Sequence, residues 1–560
     1  MVSPDLARSG HRDERRATLR NSVQTEFPKG PVVCDSDAVM TTHTETSMKR
    51  TGIVCCAAVL AFAVSLSSQI PAYGGAEALR ADLAQRRAKA MAALGPESIQ
   101  IAWSAAPKVY STDVDYEYRQ ESNMFYLSGI TQQDSILVLI PGAKSKKEIL
   151  FTSASNPSQE LWTGHILTTS EITAQSGITA VYPVAQFQPF IDSLLGGTSF
   201  TPDVTADEFR TLTDAIKAGK ARLGIFERVG PSPATGRGAG TATPQPPAPG
   251  SKAAWAMEMA AKYPGITPFS ASSMVTTLRQ VKTPYEQKLL ARSVEISAEA
   301  HLEGMKAAKP GRWEYEVEAA IEFWYLKNGA MSWGYPSIVG SGPNATTLHY
   351  QASTRQMQNG DLLLVDAAAN YQGLTGDITR TYPVNGRFTP AQRDIYELVL
   401  RAQDAAIAAA KPGAPSSAIR EACQSVFAEG LLKLGLITEA APGPARDRQI
   451  SLWFPHGPTH GIGIDVHDPL GQTLVPGSAF VIEPGLYIRE AAVATQNLTP
   501  ERSAEMAAFI PRVRPALEKY KNIGVRIEDS FLMTDSGPVR LSVKAPRTIA
   551  EIERVVGTGK

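Results

Sequence analysis

The sequence predicts an α/β (α+β) protein in two parts: a smaller α/β domain, then a larger one built from a duplicated unit. Three observations predict it. Residues 98–228 alternate short apolar runs with turns and helical stretches. Ala307-Ala-Lys-Pro-Gly311 recurs as Ala409-Ala-Lys-Pro-Gly413, and an amphipathic helical pattern follows each. Gly360-Asp-Leu-Leu-Leu-Val-Asp366 is echoed by Gly477-Ser-Ala-Phe-Val-Ile-Glu483: a glycine, an apolar strand, and an acid six residues after the glycine. Both matches in the same order indicate a duplication in which each half sends one strand-end carboxylate to a shared centre. The alternative is coincidence in an alanine-rich chain.

A chain of 560 residues is long enough for more than one domain. With 43% hydrophobic and 20% charged residues, its composition is that of a soluble globular protein. Fifty-five basic residues balance 55 acidic ones, and no basic tract is present, which argues against nucleic acid as a partner. Residues 1–47 are polar without a sustained apolar period, and read as a misassigned or disordered extension. Met48-Lys49-Arg50 then precedes a 14-residue apolar run, Ile53 to Leu66, too short to span a bilayer comfortably. With small residues near Ala72 and Ala76, residues 48–76 read as a signal peptide. Translation then starts at Met48, and the product is exported, periplasmic or secreted, with no stable membrane span in the mature chain. The alternative is a membrane anchor or a buried helix. Of the four cysteines, only Cys423 lies beyond this leader, so the mature chain forms no intrachain disulfide. Its helical surroundings make Cys423 a core residue.

The following elements are read in order. Residues 80–95 form a helix rich in Ala, Leu and Arg. Ile136–Ile140 with Pro141-Gly142 is a buried strand and turn, and Ile149-Leu150-Phe151 a second strand. Residues 229–251, rich in Pro, Gly, Ala and Thr, are a linker inserted in an N-terminal domain spanning 77–282. Thr283 caps a long helix with Pro284 at its first position, opening a second domain, 283–550. Residues 551–560 are a tail.

Five ligand-type side chains lie in the last 200 residues. Asp366 closes Leu362–Val365, Asp377 opens Asp-Ile-Thr-Arg-Thr-Tyr, Glu483 closes Phe480–Ile482, and Glu528 follows Val525–Ile527. Acids at the ends of apolar strands need a partner. Four of them with His460 point to metal, and four carboxylates balance two divalent ions. Three of the eight histidines crowd into His456-Gly-Pro-Thr-His460-Gly-Ile-Gly-Ile-Asp-Val-His467, where glycine and proline favour turns and extended chain over helix. Oxygen ligands with one imidazole suit Mn, Co, Zn or Fe(II), and the absence of thiolates argues against structural zinc. Two such ions about 3.5–4 Å apart bind and activate one water between them.

These segments carry a specific resemblance. Thr347-Leu-His349-Tyr, Leu364-Val-Asp366, Gly376-Asp377-Ile-Thr-Arg-Thr-Tyr, His456–Asp468, Ile482-Glu483-Pro-Gly-Leu-Tyr487 and Gly524-Val-Arg526-Ile-Glu528 resemble the pita-bread metallopeptidases, within them aminopeptidase P, the Xaa-Pro aminopeptidases. The eleven-residue gap from Asp366 to Asp377 fits that family. Tyr118–Gly129 and Glu160-Leu-Trp-Thr-Gly164 extend the resemblance into a creatinase/aminopeptidase P-type N-terminal domain. The resemblance implies a pita-bread fold with pseudo-twofold symmetry, and a hydrolase that removes the residue ahead of a second-position proline by attack of a bridging metal-bound hydroxide. It implies two divalent ions, Mn2+ first, with Co2+, Zn2+ and Fe2+ as alternatives. Asp366 and Asp377 would hold the first ion, Asp377 also reaching the second; His460 and Glu483 would hold the second; Glu528 would bridge both. Glu483 would also serve as general base, with His349 and His467 as donors to the scissile carbonyl. His456 would line the pocket, Arg526 would position substrate or neighbouring ligands, and Trp162 would reach a substrate pocket, its own or that of a neighbouring subunit. Peptides with proline second would be the partners, and a homodimer or homotetramer the assembly.

The chain departs from the family at Ala367-Ala368-Ala369-Asn370, where Ala-Gly and then an acid are expected, so Asn370 alters hydrogen bonding around the ligands. Gly461 stands where bacterial relatives often have an aromatic residue. The competing readings are an Xaa-Pro dipeptidase (prolidase), an inactive binding protein of the same fold, and methionine aminopeptidase, which the large N-terminal domain disfavours.

Overall fold

Parallel strands require a crossover between them, and the N-terminal domain is laid out accordingly. The computed structural model describes residues 75–229, 247–494 and 499–559. The expectations for 1–47, for nearly all of the 48–76 leader and for most of the 229–251 linker lie outside these residues. A helix, Ala76–Leu94, leads into a six-stranded mixed sheet in the spatial order 180–183, 148–152, 136–139, 98–103, 221–225, 266–270. The last two strands are parallel, and the helix Lys252–Lys262 crosses between them. The central strands are apolar on both faces because helices and loops cover both.

Thr283 is the N-cap of a long helix, as its sequence indicates. Thr283 Oγ accepts from Glu286 N at 3.2 Å and Glu286 Oε2 accepts from Thr283 N at 2.9 Å, closing a capping box over the helix Pro284–Ala307. The duplication is visible in the element order. Helices 284–307 and 314–327 precede the antiparallel pair 362–366 and 379–383; helices 390–409 and 417–433 precede the antiparallel pair 479–482 and 529–534. Gly360 and Gly477 occupy matching positions before their strands, at φ 93° and 90°, a region that favours glycine. A two-stranded ribbon, 485–488 with 523–526, adds to the second half. The halves are stitched at their centre: Glu528 N donates to Thr379 O at 3.0 Å and Thr381 Oγ1 to Arg526 O at 3.0 Å. The inward faces of these strands, including Val365, Ile482, Val525 and Ile527, share one apolar core with the helices.

Three expectations are corrected. The supposed tail 551–560 is packed over its described residues, 551–559: the helix Ile549–Val555 crosses that boundary, Ile552 and Val556 join the main core, and Gly557 N donates to Met305 O at 3.0 Å. Asp377 sits two residues ahead of its strand, in the loop before Thr379, because the chain must turn there between two sheets. Among the described residues the side-chain oxygen of Asn370 touches no ligand; it accepts from Gly373 N at 2.9 Å and so shapes the turn at 370–373. Cys423 is buried in its helix, and burial pushes its thiol up to about 12. Among the described residues no helix is long and apolar enough to cross a membrane.

Candidate metal centre

The two halves bring their strand-end acids to one place. Asp366 ends the strand 362–366, opposite Thr379 in the neighbouring strand. Glu483 follows the strand 479–482, and Glu528 lies between 523–526 and 529–534. Asp377 is tied to the second half by Ser530, whose hydroxyl accepts from Asp377 N at 3.0 Å and donates to Asp377 O at 2.7 Å. His460 lies outside any helix or strand, as its glycine- and proline-rich surroundings favour. Its Nε2 is 3.5 Å from Asp377 Oδ2, 3.5 Å from Glu483 Oε1 and 4.0 Å from Glu528 Oε1. One donor atom each from Asp377, His460 and Glu528 lies within 4.8 Å of the others.

Two details fit the cradle to a cation. The His460 Nδ1–H donates to Gly461 O at 2.9 Å, which leaves Nε2 as a lone-pair donor facing the carboxylates. Burial pushes that imidazole down to about 4, so it is neutral at ordinary pH. Glu528 Oε2 accepts from Thr379 Oγ1 at 2.7 Å, whereas Glu528 Oε1 is buried with no hydrogen-bond partner among the described residues. An unpartnered buried carboxylate oxygen is costly unless an ion takes it up. The donor set is oxygen and imidazole, as hard divalent ions require.

The electrostatics agree. Burial, then the charge of Asp366, holds Asp377 well above the ordinary carboxylate range; burial and neighbouring carboxylates do the same to Glu483 and Glu528. Asp366 is the exception. Burial pushes it up, but Arg526 beside it and the hydrogen bonds from Tyr335 and Arg526 outweigh that and hold it low. Burial and mutual repulsion of this kind are what a bound cation relieves.

The remaining predicted residues fall into three groups. Arg526 is buried and donates once from each of its three nitrogens: to Asp366 Oδ2 at 2.6 Å, to Thr379 Oγ1 at 3.0 Å and to Tyr487 Oη at 2.8 Å. It therefore orients a ligand, Asp366, through one of its nitrogens. His456 stands 3.7 Å from Glu483 Oε2, with Nδ1 donating to Gly457 O and Nε2 accepting from Tyr487 Oη at 2.9 Å. Burial pushes it down to about 3, and it stays neutral. His467 packs edge-on against His460, ring centres 4.3 Å apart, and its pKa is lowered by burial and by the nearby His349. Both His467 and His349 are exposed at the mouth of the site. Trp162 is 86% exposed on the helix Pro157–Thr163 of the N-terminal domain, and among the described residues no ring stacking or hydrogen bond joins it to the centre.

Sequence reasoning missed Tyr335. Its hydroxyl lies 2.6 Å from Asp366 Oδ1 and also contacts Asp377 Oδ1, so it spans the two aspartates. The one local signal was the Gly334-Tyr335-Pro336 turn; a Cβ at Gly334 would overlap Thr375 Oγ1. It also missed Tyr487, which links Arg526 to His456.

Fold and site together define a metal-dependent hydrolase of duplicated α/β architecture. Residues 288–535 match the model of metallopeptidase family M24, and residues 83–201 that of the aminopeptidase P N-terminal domain. An Xaa-Pro aminopeptidase of Haemophilus influenzae is 29% identical, covering 84% of this chain and 96% of its own length. The solved structure of aminopeptidase PepP from Pseudomonas aeruginosa superposes with a TM-score of 0.67 at 29% identity, over 85% of this chain and 97% of that one. A human Xaa-Pro dipeptidase is 33% identical over 52% of this chain and 64% of its own length. The chain belongs to the pita-bread metallopeptidases of family M24, with the N-terminal domain of their aminopeptidase P branch.

Proposed function

We propose that this chain is a metal-dependent aminopeptidase that removes the N-terminal residue from peptides with proline second, using two divalent ions, Mn2+ first among Co2+, Zn2+ and Fe2+. The observation that carries the reading is the buried convergence of Asp366, Asp377, His460, Glu483 and Glu528, with the lone pair of His460 and the unpaired Glu528 Oε1 turned into it. Asp366 and Asp377 would hold one ion, His460 and Glu483 the other, and Glu528 both. When bound, such ions supply Lewis acidity and a water that loses its proton near neutral pH. Glu483 accepts that proton and returns it to the prolyl nitrogen as the bond breaks. That nitrogen, a tertiary amide without N–H, leaves as a free amine only after collecting a proton. His467, kept neutral, and His349 donate to the carbonyl oxygen as charge develops on it.

The aminopeptidase relatives match through both domains, which favours this reading over a dipeptidase. The human Xaa-Pro dipeptidase, similar over half the chain, keeps that second reading in view. The two separate when a chelated, metal-restored enzyme is offered an Xaa-Pro dipeptide and an Xaa-Pro-Yaa tripeptide. Turnover of the tripeptide supports the aminopeptidase, and turnover of the dipeptide alone overturns it. Export is proposed from the Met48-Lys49-Arg50 and Ile53–Leu66 pattern, and would be tested by the N-terminus of the protein recovered from each cell fraction. A dimer or tetramer is proposed from the exposed Leu161 and Trp162, and would be tested by light scattering.

A further inference from the structure

The turn between His460 and His467 is held from outside its own domain. It closes on itself: Asp468 N donates to Gly461 O at 2.8 Å, and Gly463 N to Asp465 O at 3.1 Å. The Gly461 carbonyl also accepts the Nδ1–H of His460 at 2.9 Å, so the oxygen that closes the turn also aims the imidazole. A Cβ at Gly461 would lie 2.5 Å from Asp468 O, so this close approach requires glycine.

The carboxylate of Asp468 is clamped by two cations of the segment that ends the N-terminal domain. Arg279 pairs with Oδ1, and Lys282 Nζ lies 2.7 Å from Oδ2; all three side chains are 1–3% exposed. A Cβ at Gly463 would lie 2.7 Å from Asp468 Oδ2 and 2.8 Å from Lys282 Cε, so the turn is shaped around the pair. Arg279 also reaches Asp465 at 2.6 Å. The Tyr118–Gly129 segment adds Ser122 Oγ to Asp465 at 2.7 Å and Arg119 to Ile464 O at 2.8 Å. Ions this deeply buried cost several kcal/mol each to desolvate, so such a cluster is a poor stabiliser but sets geometry well.

We propose that Arg279 and Lys282 are positioning residues for the metal centre: through Asp468 and the Gly461 carbonyl they fix Nε2 of His460, so that the docked N-terminal domain sets the affinity for the divalent ion. This rests on His460 being a metal ligand. The test uses the full-length chain, chelated and then titrated with Mn2+, free ion being read by electron paramagnetic resonance, with the Co2+ absorption spectrum as a report on ligand geometry. Arg279→Gln and Lys282→Met should each weaken Mn2+ binding about tenfold, as loss of a ligand's supporting partner does, and alter the Co2+ spectrum. Arg119→Gln, at a half-exposed site that tolerates substitution, should weaken it a few-fold and carries the test if a buried variant does not fold. Arg393→Gln breaks an ion pair with Glu553 far from the turn in sequence and should leave both readouts unchanged. Wild-type affinity and spectrum in all three clamp variants, while His460→Ala loses the ion, overturns the proposal. So does equal weakening in Arg393→Gln. Unchanged binding in His460→Ala overturns the ligand assignment itself, and the proposal with it.

Discussion

Loading the metal-free protein with a divalent ion should raise its melting temperature, and by more as pH rises. Asp377, Glu483 and Glu528 all hold their protons well above the ordinary carboxylate range in the folded chain, through burial and mutual repulsion. A group whose pKa is raised on folding stabilises the fold below its unfolded value, and that stability is lost as pH climbs through the raised one. The metal-free fold therefore weakens from the usual carboxylate range upward. A bound ion removes the penalty, but at low pH it must first displace the protons. His460, held at about 4, is neutral in the folded chain at the pH values assayed, so loading the ion displaces no proton from it. An ion at about a hundred times its dissociation constant adds about 2.7 kcal/mol. For a domain the size of the one matched at 288–535, that is about 5–11 °C. Each displaced proton adds about 1.4 kcal/mol per pH unit to the gain at fixed ion concentration. The assay is scanning calorimetry of the chelated protein with and without Mn2+, at about pH 6, 7 and 8. A shift that is absent, flat or shrinking with pH would refute the reasoning.

Three further outcomes follow from single contacts. Tyr335→Phe removes the hydroxyl that spans Asp366 and Asp377 and should cost about tenfold in Mn2+ affinity; equilibrium dialysis giving wild-type affinity would contradict it. His349→Ala should lower kcat about 10²–10³-fold with ion content unchanged, as loss of a donor to the developing oxyanion does; a change confined to KM would assign His349 to ground-state binding instead. Glu314 is fully buried, and its carboxylate accepts from Ser341 N, Ser341 Oγ, Asn344, Tyr350 and Arg355 N at 2.6–3.1 Å, ordering the segment that carries His349. Glu314→Ala should cost about 3 kcal/mol or more by urea unfolding, because several buried donors lose their acceptor; a loss below about 1 kcal/mol would mean that the segment re-pairs elsewhere.

What was legible in the sequence was local. An apolar strand closing on an acid, as at Asp366 and Glu483, announces itself within seven residues, and its repetition exposed the duplicated halves. Thr283-Pro284-Tyr-Glu286 is a capping box in one line of text. Gly457, Pro458, Gly461 and Gly463 excluded a helix through the histidines, and none forms. What stayed hidden depends on pairing across the fold. Tyr335 reaches the two aspartates because Trp333, two residues before it, pairs with Ala369 in a separate small sheet. Arg279 and Lys282 meet Asp468 only when the N-terminal domain docks, across 189 and 186 residues of chain. Asn370 reads as a change beside the ligands, yet the turn at Gly373 claims its side-chain oxygen. The packed end of the chain was missed because two apolar residues, Ile552 and Val556, gain their partners from helices remote in sequence.

The most direct measurement is product identification by mass spectrometry on a peptide panel that differs only in having proline or alanine second, using chelated protein with and without restored Mn2+. Release of the N-terminal residue is expected from the proline peptides alone, only after metal is restored, and not by Asp366→Ala. Cleavage without metal, equal cleavage of the alanine peptides, or full activity of Asp366→Ala would contradict it.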